Sequence, residues 1–310
     1  MLSLYKLEIF SVVVQYGSFS AAAEHLHMSQ PAVSQHIQDL ERSLGTELFI
    51  RGRRGVRLTP SGEKLYAHTT QILAMVAAAE HDVMNVANLA SGHAIIGATP
   101  NVGIYSLPEW IRNFREHYPN VTLALQTGTT NNIVQGVLNH QLDIGFVEGE
   151  LDKIRRSRLG VLVLRDIEMV LVVGPKHKWW QRESVAIDEL KDQAFVMRQR
   201  HSQTRIWLDE VLQQHNIIPI VSAEFDNPES IKQSVFAGIC ISVLPTYAVE
   251  ADLEAKRLHA VSIQDVTLRR TLKLVWDRQV SLSPIARTFL SFLMEQFPQL
   301  STLFGGMELA

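Results

Sequence analysis

Cysteine is nearly absent: Cys240 is the only one in 310 residues. A single thiol closes no intramolecular disulfide, so a disulfide scaffold is excluded and a reducing compartment is expected. A long apolar run is also missing. The most apolar uncharged stretch, 234–249, is interrupted by Gly238, Pro245 and several hydroxyls. It falls short of the ~20 continuous apolar residues of a membrane span. The first eight residues place no basic region ahead of an apolar run and include Glu8, which argues against a secretory signal. A cytoplasmic protein with no membrane partner is therefore expected. No surplus of charge appears either: 29 basic against 32 acidic residues give −3. Enzyme signatures such as GxSxG, the P-loop, GxGxxG and HExxH are lacking, which argues against catalysis. Among 12 His the one close pair is His25 and His27, with no Cys pair beside it, so neither a metal nor a cofactor is expected.

What is present is an ordinary globular composition, 46% apolar and 20% charged, over a length that allows two or three domains. Leu4, Leu7, Phe10 and Val14 recur at helical spacing until Gly17. A second short helix is expected over 21–26. Ser29 can cap a third, with Pro31 in its first turn and Gly45 at its end. Two short strands, 48–50 and 56–58, flank the turn at 51–55. Beyond Gly62, residues 63–90 contain neither Gly nor Pro. A helix over 60–90 would be about 45 Å long. Leu65, Ile72, Ala79 and Val86 recur every seven residues, as do Thr69, Val76, Val83 and Ala90. This seam suits either a helix–helix dimer or packing on the helix's own domain, and its length favours the dimer.

From Ser91-Gly92 onward strands alternate with helices. Strands are expected over 94–98, 121–126, 144–147, 169–173, 195–197, 239–244 and 272–276. Helices are expected after the 94–98 strand to about His117 and over 131–139, 203–214, 228–237 and 284–297. Such alternation implies βαβ units and mostly parallel sheets. The tail from Ser301 reads as loose. Cys240 reads as a small buried strand residue.

The segment 18–37 fits a helix-turn-helix. Ala22 and Ala23 allow two helices to cross closely, and Leu26, Val33 and Ile37 can fill the space between them. If Val33, Ile37, Leu40 and Leu44 face inward, the opposite face presents Pro31, Ser34, Gln35, Gln38 and Arg42. Hydroxyls, amides and a guanidinium suit base edges and phosphates of a major groove. Ser29 and Gln30 stand at the helix N-terminus, where phosphate is favoured. Arg51, Arg53, Arg54 and Arg57 then place four positive charges in seven residues without an acid. Beside a helix pair, that cluster suits phosphate or minor-groove contact. The charge sum hides this contrast. Residues 1–65 hold 7 basic and 6 acidic groups, or +1, and the remainder 22 and 26, or −4.

These residues together resemble the LysR-type transcriptional regulators. The resemblance runs through Phe10, Ser18-Phe19-Ser20-Ala21-Ala22-Ala23, Ser29-Gln30-Pro31-Ala32-Val33-Ser34-Gln35, Ile37, Leu40-Glu41, Leu44-Gly45 and Leu48-Phe49. It continues through Arg51, Arg53, Leu58-Thr59-Pro60 and Gly62, and extends to about Phe297. It implies an α+β multidomain chain. A winged helix-turn-helix would span 1–58 and a linker and dimerisation helix 59–91. A two-lobed α/β effector domain like a type 2 periplasmic binding protein would span 92–300, ahead of a tail at 301–310. Lobe I would comprise about 93–164 and 268–300, lobe II about 165–267. The resemblance also implies homodimers or homotetramers, an inverted repeat in promoter DNA, DNA bending and contact with RNA polymerase. Val147-Glu148-Gly149 and the 195–205 stretch look nearest to the branch controlling carbon fixation or sulfur assimilation.

In open α/β sheets, ligands bind beyond the carboxyl ends of strands. Four strand-to-helix turns qualify here, carrying Thr99, Pro100 and Asn101; Thr129 and Thr130; Ser202 and Thr204; and Asn227. Each could equally be a plain helix cap. By resemblance, Thr99, Thr129 and Ser202 face the inter-lobe cleft. Arg198, Arg200, Arg205 and Lys232 lie nearby in sequence and would favour an anionic effector if they face it. His201 and Gln203 stand where the family usually has glycines around the serine, so a relative's ligand does not transfer. Asp143 reads as a structural cap. The competing readings are a small-molecule-binding protein or enzyme with the cleft as its main site, and an architectural DNA-binding protein whose cleft is vestigial.

Overall fold

The computed structural model describes residues 2–52, 55–85, 92–151, 158–238 and 240–304. The chain divides into two units, Met1–Met84 and Asn85–Ala310. Among the described residues no helix is long and apolar enough to cross a membrane.

The first unit holds α1 (Leu4–Tyr16), α2 (Phe19–His25), α3 (Gln30–Leu44), the antiparallel hairpin β1 (Phe49–Gly52) and β2 (Gly55–Leu58), and α4 (Pro60–Asn85). Serines cap the first three helices: the hydroxyls of Ser3, Ser18 and Ser29 accept from the amides of Lys6, Ala21 and Ala32. Gly17 and Gly45 end α1 and α3 at φ 61° and 68°, where a Cβ would add strain. Ile9, Phe10, Val13, Ala22, Val33, Ile37, Leu40 and Leu48 form one buried cluster. Leu44, expected to join it, is 37% exposed. It is the last residue of α3, a full turn beyond Leu40. Glu41 ties α3 to the hairpin, its Oε1 accepting from the Leu48 amide at 2.8 Å. Gly62 packs so closely that a Cβ there would lie 2.2 Å from the Leu48 carbonyl oxygen.

Along α4, Thr69 is fully buried and Leu65 and Val76 are half-buried, while Ile72 and Met75 are exposed. The side chains of Ala79 and Val83, and the expected helical continuation over 86–90, lie outside the described residues.

The second unit is built on a sheet in the order β4-β3-β5-β12-β6-β10-β8-β9, with β11 pairing β6 and β7. Its strands are β3 (His93–Ala98), β4 (Thr122–Thr127), β5 (Ile144–Glu148), β6 (Leu159–Val173), β7 (Ser184–Val185), β8 (Ala194–Arg198), β9 (Ile220–Phe225), β10 (Ile241–Pro245), β11 (His259–Ile263) and β12 (Arg269–Asp277). Helices α5 (Pro100–Tyr105), α6 (Leu107–His117), α7 (Thr130–Leu138), α8 (Gln203–Gln214), α9 (Pro228–Ala237), α10 (Thr246–Glu254) and α11 (Pro284–Phe292) cover it. Two parallel trios, β4-β3-β5 and β10-β8-β9, flank an antiparallel centre of β12 and β6. The sheet is thus more mixed than strand–helix alternation suggested.

Several expectations change in this unit. β6 has 15 residues, of which only the last five, 169–173, were anticipated, and it runs unbroken past 165. Its middle, 163–168, mixes buried with exposed positions and carries Arg165, Asp166 and Glu168, which separate the apolar run 159–164 from the anticipated 169–173. The single helix expected to run to about His117 breaks at Ser106, where Pro108 fits the open first turn of α6. The last long helix stops at Phe292, not Phe297. Beyond it the turn Pro298–Leu303 buries Leu300 completely, and Leu303 and Phe304 pack half-buried against the main cluster, so the chain past Ser301 is not wholly loose; 305–310 lie outside the described residues. Cys240 is half-buried and precedes β10 instead of lying in it. Phe114 and Phe289 meet edge-on at 5.2 Å in the largest cluster, each fully buried. A ring buried in this way stabilises by about 1.5–3 kcal/mol.

Candidate nucleic-acid interface and ligand cleft

Helix α3 is two-faced because its apolar residues recur at turn spacing. Val33, Ile37 and Leu40 are buried, while Ser29, Gln30, Pro31, Gln35, Gln38 and Arg42 are exposed and Ser34 is half-buried. The Ser29 hydroxyl is engaged in its cap, 3.4 Å from the Ala32 nitrogen. One neighbour escaped sequence reasoning. Asp39 accepts from Gln35 Nε2 at 3.0 Å and pairs with Arg42 at 2.9 Å. It ties Gln35 and Arg42 of that face to each other. In the hairpin, Ile50 opposes Arg57 and Arg51 opposes Val56. Arg57 is exposed; the Arg51 side chain, and all of Arg53 and Arg54, lie outside the described residues. His25 does not pair with His27 but with the Tyr16 hydroxyl, Nδ1 to Oη 2.9 Å.

In the second unit one cavity gathers Thr99, Pro100, Thr129, Thr130, Glu148, Arg198, Ser202, Gln203, Thr204 and Arg270. Seven of the nine residues expected at a ligand site are among them. Asn101 adjoins the cavity through its Nδ2, which donates to Glu148 Oε2 at 2.8 Å. Asn227 does not line it. Its Oδ1 caps α9 by accepting from Ser230 N at 2.8 Å. Thr129 and Ser202 also cap helices, accepting from Asn132 N at 3.3 Å and Arg205 N at 3.1 Å. Thr99 caps nothing with its side chain, and its Oγ1 is buried without a partner. The cavity measures about 20 Å³, room for one water. A neighbouring hollow of about 380 Å³ shares Gln203 and Arg270 with it.

Two charged residues missed from the sequence dominate this cavity. The Glu148 carboxylate, 2% exposed, accepts from Asn101 and from the Tyr247 hydroxyl. Arg270 donates to Thr204 Oγ1 at 2.8 Å and to the Glu148 carbonyl at 3.0 Å, and its Nη1 lies 3.7 Å from the carboxylate. Burial lowers the Arg270 pKa, against the opposing pull of Glu148. Burial likewise lowers Arg198, which Glu148 and Asp226 counter. Tyr247 is raised well above its usual value by burial first and Glu148 second, so its hydroxyl keeps its proton. Among the described residues, seven buried side-chain polar atoms lack a partner. Four of them, Thr99 Oγ1, Asn101 Oδ1, Arg198 Nε and Arg270 Nε, belong to this one place. Unpartnered buried polar atoms are rare in folded proteins, so four in one place set this cavity apart.

The other basic residues near these turns do structural work. Arg205 pairs with Asp209 at 2.8 Å and Glu224 at 2.9 Å, and also donates to the Arg198 carbonyl. Arg200 is exposed beside Glu224. Lys232 bonds Asp252 and Glu229 and lies 4.7 Å from the Tyr105 ring centroid. Asp143 Oδ2 accepts from the Ile95 amide at 2.7 Å, tying the start of β5 to β3.

Comparison with known proteins completes the picture. Residues 4–63 match the family model of the bacterial regulatory helix-turn-helix protein, lysR family, and 87–298 match the LysR substrate binding domain. The chain is 32% identical over 303 residues to a protein of Synechocystis sp. named probable RuBisCO transcriptional regulator, covering 97% of this chain and 87% of that one. A protein of the same name from Cyanophora paradoxa is 32% identical over 298 residues, 95% of this chain and 92% of that one. Among solved structures, full-length CbnR complexed with its target DNA superposes with a TM-score of 0.72 at 19% identity, over 95% of this chain and 99% of that one. The effector binding domain of QuiR in complex with shikimate gives 0.59 at 19% identity, over 67% of this chain and 98% of that one. The capped, two-faced helix of the first unit, the polar cavity of the second and these matches over both place the chain in the LysR family of transcriptional regulators, with a DNA-binding helix-turn-helix and an effector-binding domain.

Proposed function

We propose that α3 enters the major groove of an inverted-repeat promoter site, with the 51–57 hairpin alongside it. The observation that carries this reading is the exposed face of Gln30, Pro31, Gln35, Gln38 and Arg42 above a buried Val33-Ile37-Leu40 row. Gln35 reads a base edge, adenine being its bidentate partner. Ser29, Gln30, Ser34 and Arg42 hold phosphate or flanking bases. Arg51, Arg53 and Arg54 neutralise phosphates. The chain works as a cytoplasmic homodimer or homotetramer and not as an enzyme. Ile72 and Met75 of α4, exposed in the single chain, join the helix–helix seam. RNA polymerase is a further partner.

The cleft lined by Thr99, Pro100, Thr129, Thr130, Arg198, Ser202 and Thr204 takes a small effector, with Asn101 beside it. The effector shifts the balance between two lobe arrangements, which requires it to bind them unequally. DNA bending and promoter activation follow that shift. The lobes meet near β6 and β12, and Asn227 is left out of the site. The test compares Gln35→Ala with Arg53→Ala in gel shifts on the gene's own upstream region and on random duplex. Gln35→Ala is expected to weaken the specific duplex by about 1–3 kcal/mol and leave random DNA unchanged. Arg53→Ala is expected to weaken both equally and to reduce the salt slope by about 1. Equal losses from both variants on both duplexes overturn this division of roles.

A further inference from the structure

The cleft holds charges of both signs. Arg198 and Arg270, each with a guanidinium, and Glu148, with a carboxylate, all line it. All three are at most 6% exposed, so water screens none of them well. The unpartnered atoms are also of two kinds. Arg198 Nε and Arg270 Nε are donors seeking acceptors, Asn101 Oδ1 is an acceptor seeking a donor, and Thr99 Oγ1 can act as either. A guest made only of acceptors would satisfy the guanidinium groups but leave Asn101 Oδ1 unpaired. It would also bring its charge up to Glu148.

We propose that Glu148 sets the ligand class of this cleft: a small molecule with a single acidic group that also carries a hydroxyl or ammonium donor, and not a simple dianion. The proposal rests on the cleft being the effector site, and it replaces the expectation of an effector defined by negative charge alone. The acidic head meets Arg198, Arg270 and Thr99. The donor meets Asn101 Oδ1 and a free lone pair of Glu148, whose carboxylate has about four acceptor positions and is committed to Asn101 and Tyr247. The present cavity, about 20 Å³, admits no such molecule whole. The ligand therefore needs the lobes to part, or its body to lie in the adjoining hollow of about 380 Å³ behind the shared Gln203 and Arg270.

The test uses the full chain and four probes in thermal-shift and calorimetric titrations. Glycolate and L-serine pair an acid with a donor; malonate and sulfate are dianions without one. The wild type is expected to be stabilised by glycolate or serine, because a ligand of the folded state raises melting temperature by mass action. Malonate and sulfate are expected to bind at least about tenfold more weakly. Glu148→Gln keeps the shape and removes the charge, so it is expected to reverse that ratio. A wild type that binds malonate or sulfate as tightly as glycolate and serine overturns the proposal, and this arm needs no variant to fold. A ratio unchanged in Glu148→Gln, including no binding by either protein, overturns it too. Gel shifts on the same samples report DNA binding separately, so failure of the ligand class is distinct from failure of the regulator reading.

Discussion

The two units place their charges differently. Among the described residues of the first unit no charged side chain is buried; its only buried polar side chains are Ser11 and Thr69. The second unit buries Glu148, Arg198, Arg205, Lys232, Asp252, Arg270, Lys273 and Asp277. DNA brings a dense array of charge over a large surface, so its reader can lay polar groups on the outside of an apolar core. A small ligand offers few atoms, so its site must be prearranged inside, where each interaction is stronger and each unpaired charge costs more. Function and stability are therefore separable in the first unit and entangled in the second.

The largest expected effect tests that entanglement. Arg270→Ala removes the guanidinium that Glu148 and Thr204 share and leaves a buried carboxylate with less compensation. The second unit is expected to lose about 3–5 kcal/mol in urea unfolding followed by a probe within that unit. A loss below about 1 kcal/mol would mean that water already screens this cluster, and the contrast between the units would fall. Gly62→Ala is expected next, at about 1–3 kcal/mol, because a Cβ 2.2 Å from the Leu48 carbonyl oxygen forces a backbone shift. It is a packing effect and should lower the first unit's melting without changing sequence preference in a gel shift.

The contrast also explains what could be read from the sequence. Helix α3 was legible because hydrophobic period, serine cap and terminal glycine all point to one answer at short range. Thr99, Thr129 and Ser202 were legible as strand-to-helix turns. Glu148 and Arg270 were not: their bonded atoms belong to residues 122 positions apart, joined by strands that no spacing rule relates. The full length of β6 was hidden because Arg165, Asp166 and Glu168 interrupt its middle and separate two apolar runs. Asp39 was overlooked because one acid on a polar face carries no signal until its contacts with Gln35 and Arg42 are seen.

Asp39 supplies the next prediction. Asp39→Asn removes a negative charge from the face proposed to meet phosphate and frees Arg42. Stability is expected to stay within about 0.5 kcal/mol, as for most surface changes. Affinity for random duplex is expected to rise a few-fold at low salt, with the gain vanishing as salt screens it. Weaker binding would show instead that Asp39 orients Gln35 and Arg42 productively, which would make this surface prearranged like the cleft.

The smallest expected effect concerns pH, and it separates the units again. His177 is 6% exposed, and its Nδ1 lies 3.2 Å from the Trp179 amide nitrogen. Burial lowers its pKa below 6.5; the Gln193 hydrogen bond opposes the shift, and Lys178 adds to it. A neutral ring suits both the buried site and the bond it accepts. Below the ordinary value of 6.5 the unfolded chain takes up a proton that the folded chain resists. The stability contributed by this neutral ring is thus present above 6.5 and is lost as pH falls through the lowered folded value. His140 follows the same sign, with burial as the leading cause and Asp277 opposing. The second unit should therefore melt at falling temperature between about pH 7 and pH 5. His177→Asn should make that fall shallower, whatever it does to the absolute melting point through lost contact with Trp179. His140 remains to titrate, so the slope should shrink and not vanish. An unchanged slope would remove His177 from the titration and leave the acid sensitivity of this unit to His140 and its carboxylate pairs.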